Sequence, residues 1–261
     1  IRHALIPALE RIVPGASTAI ARNADLLADD ADLLNSLTIA AFDACCRRLG
    51  STIQIDRDAL RSQPRALQRR IMVLAAQAVS DGIELTRERV EALRTAAISG
   101  NVGSRIEIGR GVSGLVDYDC LLVGPDDQLG PELRRIHGLP ELEPGKTIAI
   151  EHSMSVSAGP DWVIAIEIAC RATGWVLRTR SPGDRLLLPN DHHKRLQDWL
   201  VDRKVPVVVR DRLPLLVHDG VVRWVAGVSV GDYEDVHSRL TARLMTRTGD
   251  EQRDGEHAAG N

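Results

Sequence analysis

The feature that most constrains this chain is a change of hydrophobic period near Gly100. Before it, apolar residues recur at three- and four-residue steps; after it, they alternate or come in short bursts. From residue 18 to 48, Ile20, Ala24, Leu27, Ala31, Leu34, Ala41 and Cys45 form one stripe. The spacing predicts a single long helix, capped by Ser17 or Thr18 after Pro14-Gly15 and followed by Gly50. Asp25, Asp29, Asp30 and Asp32 fall mostly off the stripe and read as its wet face. A second helix is predicted from about Pro64 to Ser80, with Leu67, Ile71, Leu74, Ala75 and Ala78 as its apolar face. A third runs from Arg87 to about Ala97 behind Thr86 as N-cap. Each helix has one stripe to bury, so together they predict a small all-α domain over residues 1–100.

Beyond Gly100, Arg105-Ile106-Glu107-Ile108 alternates, Gly109 and Gly111 punctuate, and Gly114–Tyr118 continues in extended style. Residues 125–146 hold four prolines and three glycines, so 101–146 reads as a β-rich extension and connector. Apolar bursts at Thr147–Ile150, Trp162–Cys170, Trp175–Leu177, Leu213–Val217 and Val221–Val228, with a helix from about Lys194 to Arg203, predict a domain over 147–236. Residues 237–261 read as a mostly disordered tail. The expected class is therefore α+β multidomain: an N-terminal all-α helical domain, then a smaller α+β domain of short, mostly antiparallel strands.

Several function classes fall away on composition. A chain of 261 residues, 44% hydrophobic and 26% charged, buries a core without staples. No stretch approaches the roughly 18 consecutive apolar residues of a membrane span, and no secretory signal is present. Ile1-Arg2-His3 reads as the middle of a longer chain. Cys45, Cys46, Cys120 and Cys170 lack C-x-x-C spacing and read as small reduced hydrophobes of a cytosolic protein. Gly145-Lys146-Thr147 imitates the end of a P-loop, but its first glycine would have to be Pro140 and a strand follows. His192-His193 beside Asp191 lacks a third ligand at helical spacing, so no metal is expected. No S-G-G-x-D-S occurs, no Ser, His and Asp set assembles with any specificity, and the sequence offers no catalytic centre.

Charge is distributed unevenly. Residues 1–100 are nearly balanced and 101–177 carry 6 basic against 11 acidic groups, but residues 178–212 carry 9 against 5, with His192 and His193 in addition. One basic island thus sits in an acidic protein, as a phosphate-binding surface requires; a solvated face paired with its own acids has the same composition. Within the island, Arg178 and Arg180 are two apart on a predicted strand and so share a face. Pro182-Gly183 is a turn, with Asp184 able to bond back to the backbone. Lys194 and Arg195 open the predicted helix, Lys204-Val205-Pro206 ends it, and Arg210 and Arg212 return on the next extended segment. Five or more cations would meet there and read duplex RNA by shape, through phosphates and 2′-hydroxyls. Single-strand stacking is disfavoured, because only Trp175 and Trp199 are near and both read as buried. Arg65 and Arg69, one helical turn apart, form a second cluster with Arg70.

The residues that carry this island also carry a resemblance. Leu177–Arg185 (L-R-T-R-S-P-G-D-R), Lys194-Arg195-Leu196, Asp202–Pro206 (D-R-K-V-P), Arg210-Asp211, Leu213–Leu216 and Val225-Ala226-Gly227 together resemble the C-terminal domain of bacterial tRNA(Ile)-lysidine synthetase. Ile1-Arg2-His3 with Leu5–Glu10 resembles the family's link out of its catalytic domain, and Pro64–Arg70 its helical substrate-recognition domain. The loop Leu188–His193 and Arg195 depart from the family's glycine-containing loop and paired lysines. The resemblance covers residues 1 to about 235, and the family's N-terminal adenylating domain is missing.

What the resemblance implies is a tRNA-binding portion of a ligase. The whole enzyme uses ATP and Mg²⁺ to adenylate the wobble cytidine of the CAU anticodon of tRNA(Ile), and lysine then displaces AMP. ATP and lysine would be bound by the missing domain, so this chain is expected to hold no cofactor and to be inactive alone, in the cytoplasm, with a homodimer left open. The expected tRNA contacts are Arg178, Arg180, Arg185, Lys194, Arg195, Lys204 and Arg210 in the C-terminal domain and Arg65, Arg69 and Arg70 in the helical one. Two rivals stand beside it: a non-catalytic module binding an acidic protein or generic duplex RNA, and a complete enzyme with an unrecognised site.

Overall fold

The structure is a computed structural model and describes residues 4–169, 173–189, 191–235 and 239–247. The chain divides into two compact units, Ile1–Asp126 and Asp127–Asn261.

The first unit opens with helices α1 (Leu5–Ile12) and α2 (Ala16–Cys45). The long helix is where the three- and four-residue stripe put it, but its cap is not Ser17 or Thr18. Gly15 occupies the N-cap at φ +82°, and the carboxylate of Glu10 accepts from the Gly15 and Ser17 amides at 2.8 and 2.9 Å. Those two bonds satisfy helix-start donors and hold the Glu10 carboxyl below the usual range. Only Thr38, Ala41 and Cys45 of α2 are buried; Ile20, Leu27 and Leu34, higher on the same stripe, are exposed.

After α2 come β1 (Cys46–Leu49), β2 (Thr52–Asp56), α3 (Arg57–Ser62), α4 (Arg65–Val79), α5 (Arg87–Ser99), β3 (Arg105–Gly109), β4 (Val112–Val116) and β5 (Cys120–Pro125). The strands form one antiparallel sheet in the order β1-β2-β5-β4-β3. This corrects the all-α reading of 1–100. The hairpin at 46–56 pairs with 120–123, so the helices share one core with strands on both sides of Gly100. Ile71, Met72, Ala75 and Ala76 of α4 and Val90, Leu93 and Ala97 of α5 pack on it. Thr86 is the N-cap of α5, accepting from the Arg89 amide at 3.4 Å. At Gly114 a Cβ would meet Leu93 Cδ2 at 2.5 Å, so glycine sets the close approach of α5 to the sheet. Arg57, 6% exposed, ties the unit together: its guanidinium donates to the carbonyls of Ala97, Asp117, Tyr118 and Gly100 at 2.7–3.2 Å. Burial pushes its pKa down, and the four carbonyls take the place of water around the guanidinium.

The second unit begins with α6 (Leu129–Ile136), whose Leu129 and Leu133 are buried. The expected connector is thus part of this core. Pro131 is tolerated because it stands in the first helical turn, where no intrahelical donor is lost. Then follow β6 (Thr147–Ala149), β7 (Met154–Ser157), β8 (Trp162–Ile168), β9 (Trp175–Arg178), β10 (Arg185–Leu187), β11 (His193–Arg195), α7 (Leu196–Asp202), a 3₁₀ helix (Val207–Arg212), β12 (Leu215–His218), β13 (Val221–Val225), β14 (Tyr233–Asp235) and β15 (Leu240–Thr246). One sheet has the order β11-β10-β13-β12-β9-β6, parallel only between β10 and β13; the other is antiparallel, β14-β15-β8-β7. Trp175, Leu177, Leu216 and Trp224 from the first meet Val156, Ile164, Ile166, Leu240 and Ala242 from the second. Two sheets with one apolar face each have buried them against one another. β15 lies within the expected tail and pairs with β8 along its length, because Leu240, Ala242 and Leu244 alternate with polar residues. Residues 248–261 of that tail lie outside the described residues, as do Ile1–His3, Cys170 and Asn190.

Candidate nucleic-acid interface

The basic island surrounds a tight turn. Arg178 ends β9, and its guanidinium makes a bidentate pair with Asp184, Nη1 to Oδ2 at 2.8 Å and Nη2 to Oδ1 at 2.7 Å. It donates as well to the Thr179 carbonyl at 2.9 Å. Asp184 also accepts from the Ser181 amide at 2.7 Å, closing the turn over Pro182-Gly183. Burial would raise the Asp184 carboxyl; Arg178 and the Ser181 amide outweigh it and hold the group below its ordinary value, while Arg178 is pushed up by the same bond. Arg178, 15% exposed along its side chain, is therefore a brace for the turn.

Beyond the turn, β10 and β11 form a short antiparallel hairpin in which Arg185 stands directly opposite Arg195. Both are exposed, and among the described residues neither has an acidic partner. Like charges opposite one another across strands are destabilising, so the pair is an arrangement that an anion would relieve. Arg180, held by Asp211 and by the Gln197 side chain at 2.8 Å, joins them in lining a surface cavity of about 670 Å³ with Ser181, Gly183 and Gln197. With Asp184 already neutralised by Arg178, Asp211 is the one acid left against three cations at this cavity. Its chemistry is that of a polyanion site.

The other expected contacts go elsewhere. Lys194 and Arg195 lie in β11 directly before the helix, Arg195 being the N-cap of α7, and Lys194 pairs with Asp202 on the opposite face from Arg195. Arg180 lies past the end of β9, so strand alternation does not place it beside Arg178. Lys204 is exposed at φ +54°, just after α7. Arg210 is 2% exposed on the 3₁₀ helix, where the Val205 carbonyl accepts from its Nε and Nη2 at 2.9 and 2.8 Å. It anchors the chain after α7, and a phosphate at the surface does not reach it.

In the first unit, Arg65 and Arg69 meet on one carboxylate, Glu91, at 2.7 and 2.9 Å, together with Arg94, which sequence reasoning missed. Three guanidiniums, Arg94 foremost, hold the Glu91 carboxyl far below the usual range and leave the cluster positive. The i to i+3 spacing of Glu91 and Arg94 carried that signal. Arg70 donates to the Asn35 side chain at 2.8 Å and stands apart from the cluster.

Among the described residues, no group of three His, Cys, Asp or Glu could hold a metal, and no helix is long and apolar enough to cross a membrane. Gly145 donates its amide to Thr179 Oγ1 at 2.9 Å, and Thr147 opens a strand, so no phosphate loop forms there. Cys46 and Cys120 are thiols pushed up to about 12 by burial.

Residues 176–243 match the family described as TilS substrate C-terminal domain. The chain is 29% identical over 95% of its length to the tRNA(Ile)-lysidine synthase of Geobacter sulfurreducens, covering 55% of that protein. It is 34% identical over 87% of its length to that of Symbiobacterium thermophilum, covering 52%, and 25% identical over 94% to that of Geobacillus kaustophilus, covering 54%. The chain thus spans about half the length of the curated relatives it matches. A crystal structure of a TILS C-terminal domain aligns with 42% of this chain and 91% of its own, at 26% identity and a TM-score of 0.26.

Proposed function

Since this chain is a member of the tRNA(Ile)-lysidine synthase family, corresponding to the C-terminal portion, we propose that it is the part of such a ligase that grips the tRNA. In this reading the second unit holds a duplex end, the acceptor stem, by its backbone. Arg185 and Arg195 are the phosphate contacts, and Arg180 is a third, positioned by Asp211 and Gln197. Arg178 and Arg210 hold the surface that presents them. The cluster of Arg65, Arg69 and Arg94 on Glu91 is a second, weaker contact nearer the anticodon end. The whole ligase would join lysine to the wobble cytidine of the CAU anticodon, consuming ATP and releasing AMP and diphosphate. In this reading ATP, Mg²⁺ and lysine would be bound by the rest of that enzyme. The setting is the cytoplasm, where tRNA is modified.

One observation carries the proposal: two exposed arginines face each other across a hairpin beside a third, with no acid to pair them. A structural role would not favour that arrangement; a phosphate between them would. The test is tRNA binding by fluorescence anisotropy across a salt series. Arg185→Ala and Arg195→Ala should each reduce the slope of log K against log salt by about one, and the double variant by about two. Unchanged slopes would remove the hairpin from the interface. Equal binding of an acidic protein and of tRNA would favour a general polyanion module.

A further inference from the structure

We propose that a second cavity of the same unit receives a single unpaired nucleobase at the end of the bound duplex. It encloses about 380 Å³, within the range of small-ligand pockets, and nothing in the phosphate surface uses it. Its lining is of a different kind. Pro189 and Val230 form apolar walls, and the indoles of Trp199 and Trp224, 6% and 2% exposed, lie at its floor. Val230, on the loop after β13, is 87% exposed although apolar, which suits a lid over a planar ring.

The polar groups decide the ligand class. Arg203, whose guanidinium lies 4.9 Å from the Trp199 ring centroid, and Arg223 supply donors; Asp191 and Asp232 supply acceptors, Asp232 while also pairing with Arg243 at 3.4 Å. The Nε of Arg223 is buried with no hydrogen-bond partner, an unmade bond that a ligand acceptor would complete. A phosphate would meet two carboxylates and an ammonium two guanidiniums. A flat, neutral ring with donors and acceptors on one edge meets complementary groups, and the guanidiniums offer planes to stack on. Placement supports an RNA end as its source. Arg185 lines the phosphate cavity, and the next two residues of β10, Leu186 and Leu187, line this one. A strand with a phosphate on Arg185 would have its following base beside the second cavity.

This inference rests on the tRNA-gripping reading, and its test separates the two. The full chain is titrated with a blunt RNA stem-loop and with the same stem carrying one unpaired 3′ nucleotide. The overhang should tighten binding by about 5- to 100-fold, the range of base stacking on a protein platform. Val230→Asp, on an exposed loop, and Arg223→Met should each abolish that gain while leaving the blunt-stem affinity within twofold. No gain in the parent chain, or a gain surviving both substitutions, overturns the base site and leaves the phosphate surface standing. Insensitivity of the blunt stem to Arg195→Ala overturns the phosphate surface instead. Free adenosine monophosphate binding as tightly as the overhang, and displacing it, would keep the base chemistry but overturn the RNA end as its source.

Discussion

Replacing Arg195 by Glu should stabilise the fold and damage the function, a combination that separates binding residues from braces. In the hairpin, Arg195 and Arg185 are directly opposed, so their Cβ atoms are about 4.5–5.5 Å apart. Arg195→Glu turns a like-charge pair into an opposite-charge one. Cross-strand pairs contribute roughly 0.2–1 kcal/mol, so removing the repulsion and gaining the attraction amounts to about 1 kcal/mol. For a chain of this size that raises Tm by about 2–4 °C. The same change removes one phosphate contact and neutralises another, so the salt slope for tRNA should fall by about two and the affinity at low salt by roughly tenfold or more. Thermal melts and anisotropy on one preparation measure both, with Arg195→Ala intermediate. A lowered Tm with weakened binding would mean that Arg195 supports the fold by contacts other than those described. A raised Tm with an intact slope would mean the pair is strained for some purpose other than RNA.

Two further substitutions probe the braces. Arg210→Met should destabilise the second unit by about 2–4 kcal/mol, because a buried guanidinium and the Val205 carbonyl lose each other, yet leave the salt slope of the folded fraction unchanged; urea titration and anisotropy check the two halves. Asp184→Asn should cost about 1–3 kcal/mol at neutral pH. The folded Asp184 carboxyl lies below its ordinary value, so its contribution is fully present above the unfolded pKa near 4 and is lost as pH falls through the folded one. The gap between parent and variant urea midpoints should therefore begin to narrow below about pH 4 and close only below the folded value; a gap independent of pH would show that the bond is not ionic.

How much of this was legible depended on whether the cause was local. The α4 and α5 helices stood out because their apolar spacing and the Thr86 cap are properties of short windows. The β1–β2 hairpin was missed because the stripe of α2 runs without a break into Cys45-Cys46, and only pairing with β5 turns Thr52-Ile53-Gln54-Ile55 into a strand. Alternation at Leu240–Leu244 was visible but was overshadowed by the polar run behind it. In the site, all three cavity arginines were nameable from charge. That Arg185 and Arg195 oppose each other was not, since register is set by pairing across a loop. Nor could sequence tell Arg178 from a binder, although its partner Asp184 is six residues away, because a carboxylate that near is as often solvated. Arg210 was harder still, since the Val205 oxygen that accepts from it is a backbone carbonyl, which every residue has.

This sorting changes what a basic island means. By composition, residues 178–212 carry four more cations than acids, as if every arginine faced the polyanion. In the structure the surplus is concentrated. Arg178, Arg210 and Lys194 are committed to Asp184, the Val205 carbonyl and Asp202; Arg185 and Arg195 beside Arg180 line one cavity, and Arg203, Lys204 and Arg212 are exposed outside it. A phosphate backbone is recognised through local potential, so two unpaired guanidiniums at fixed spacing outweigh a larger number already paired. The preceding stretch, residues 101–177, carries five more acids than bases, so the excess of cations belongs to the island and not to the whole chain. In the proposed reading a duplex is drawn to the hairpin, so affinity comes from these few arginines and not from the total charge of the island.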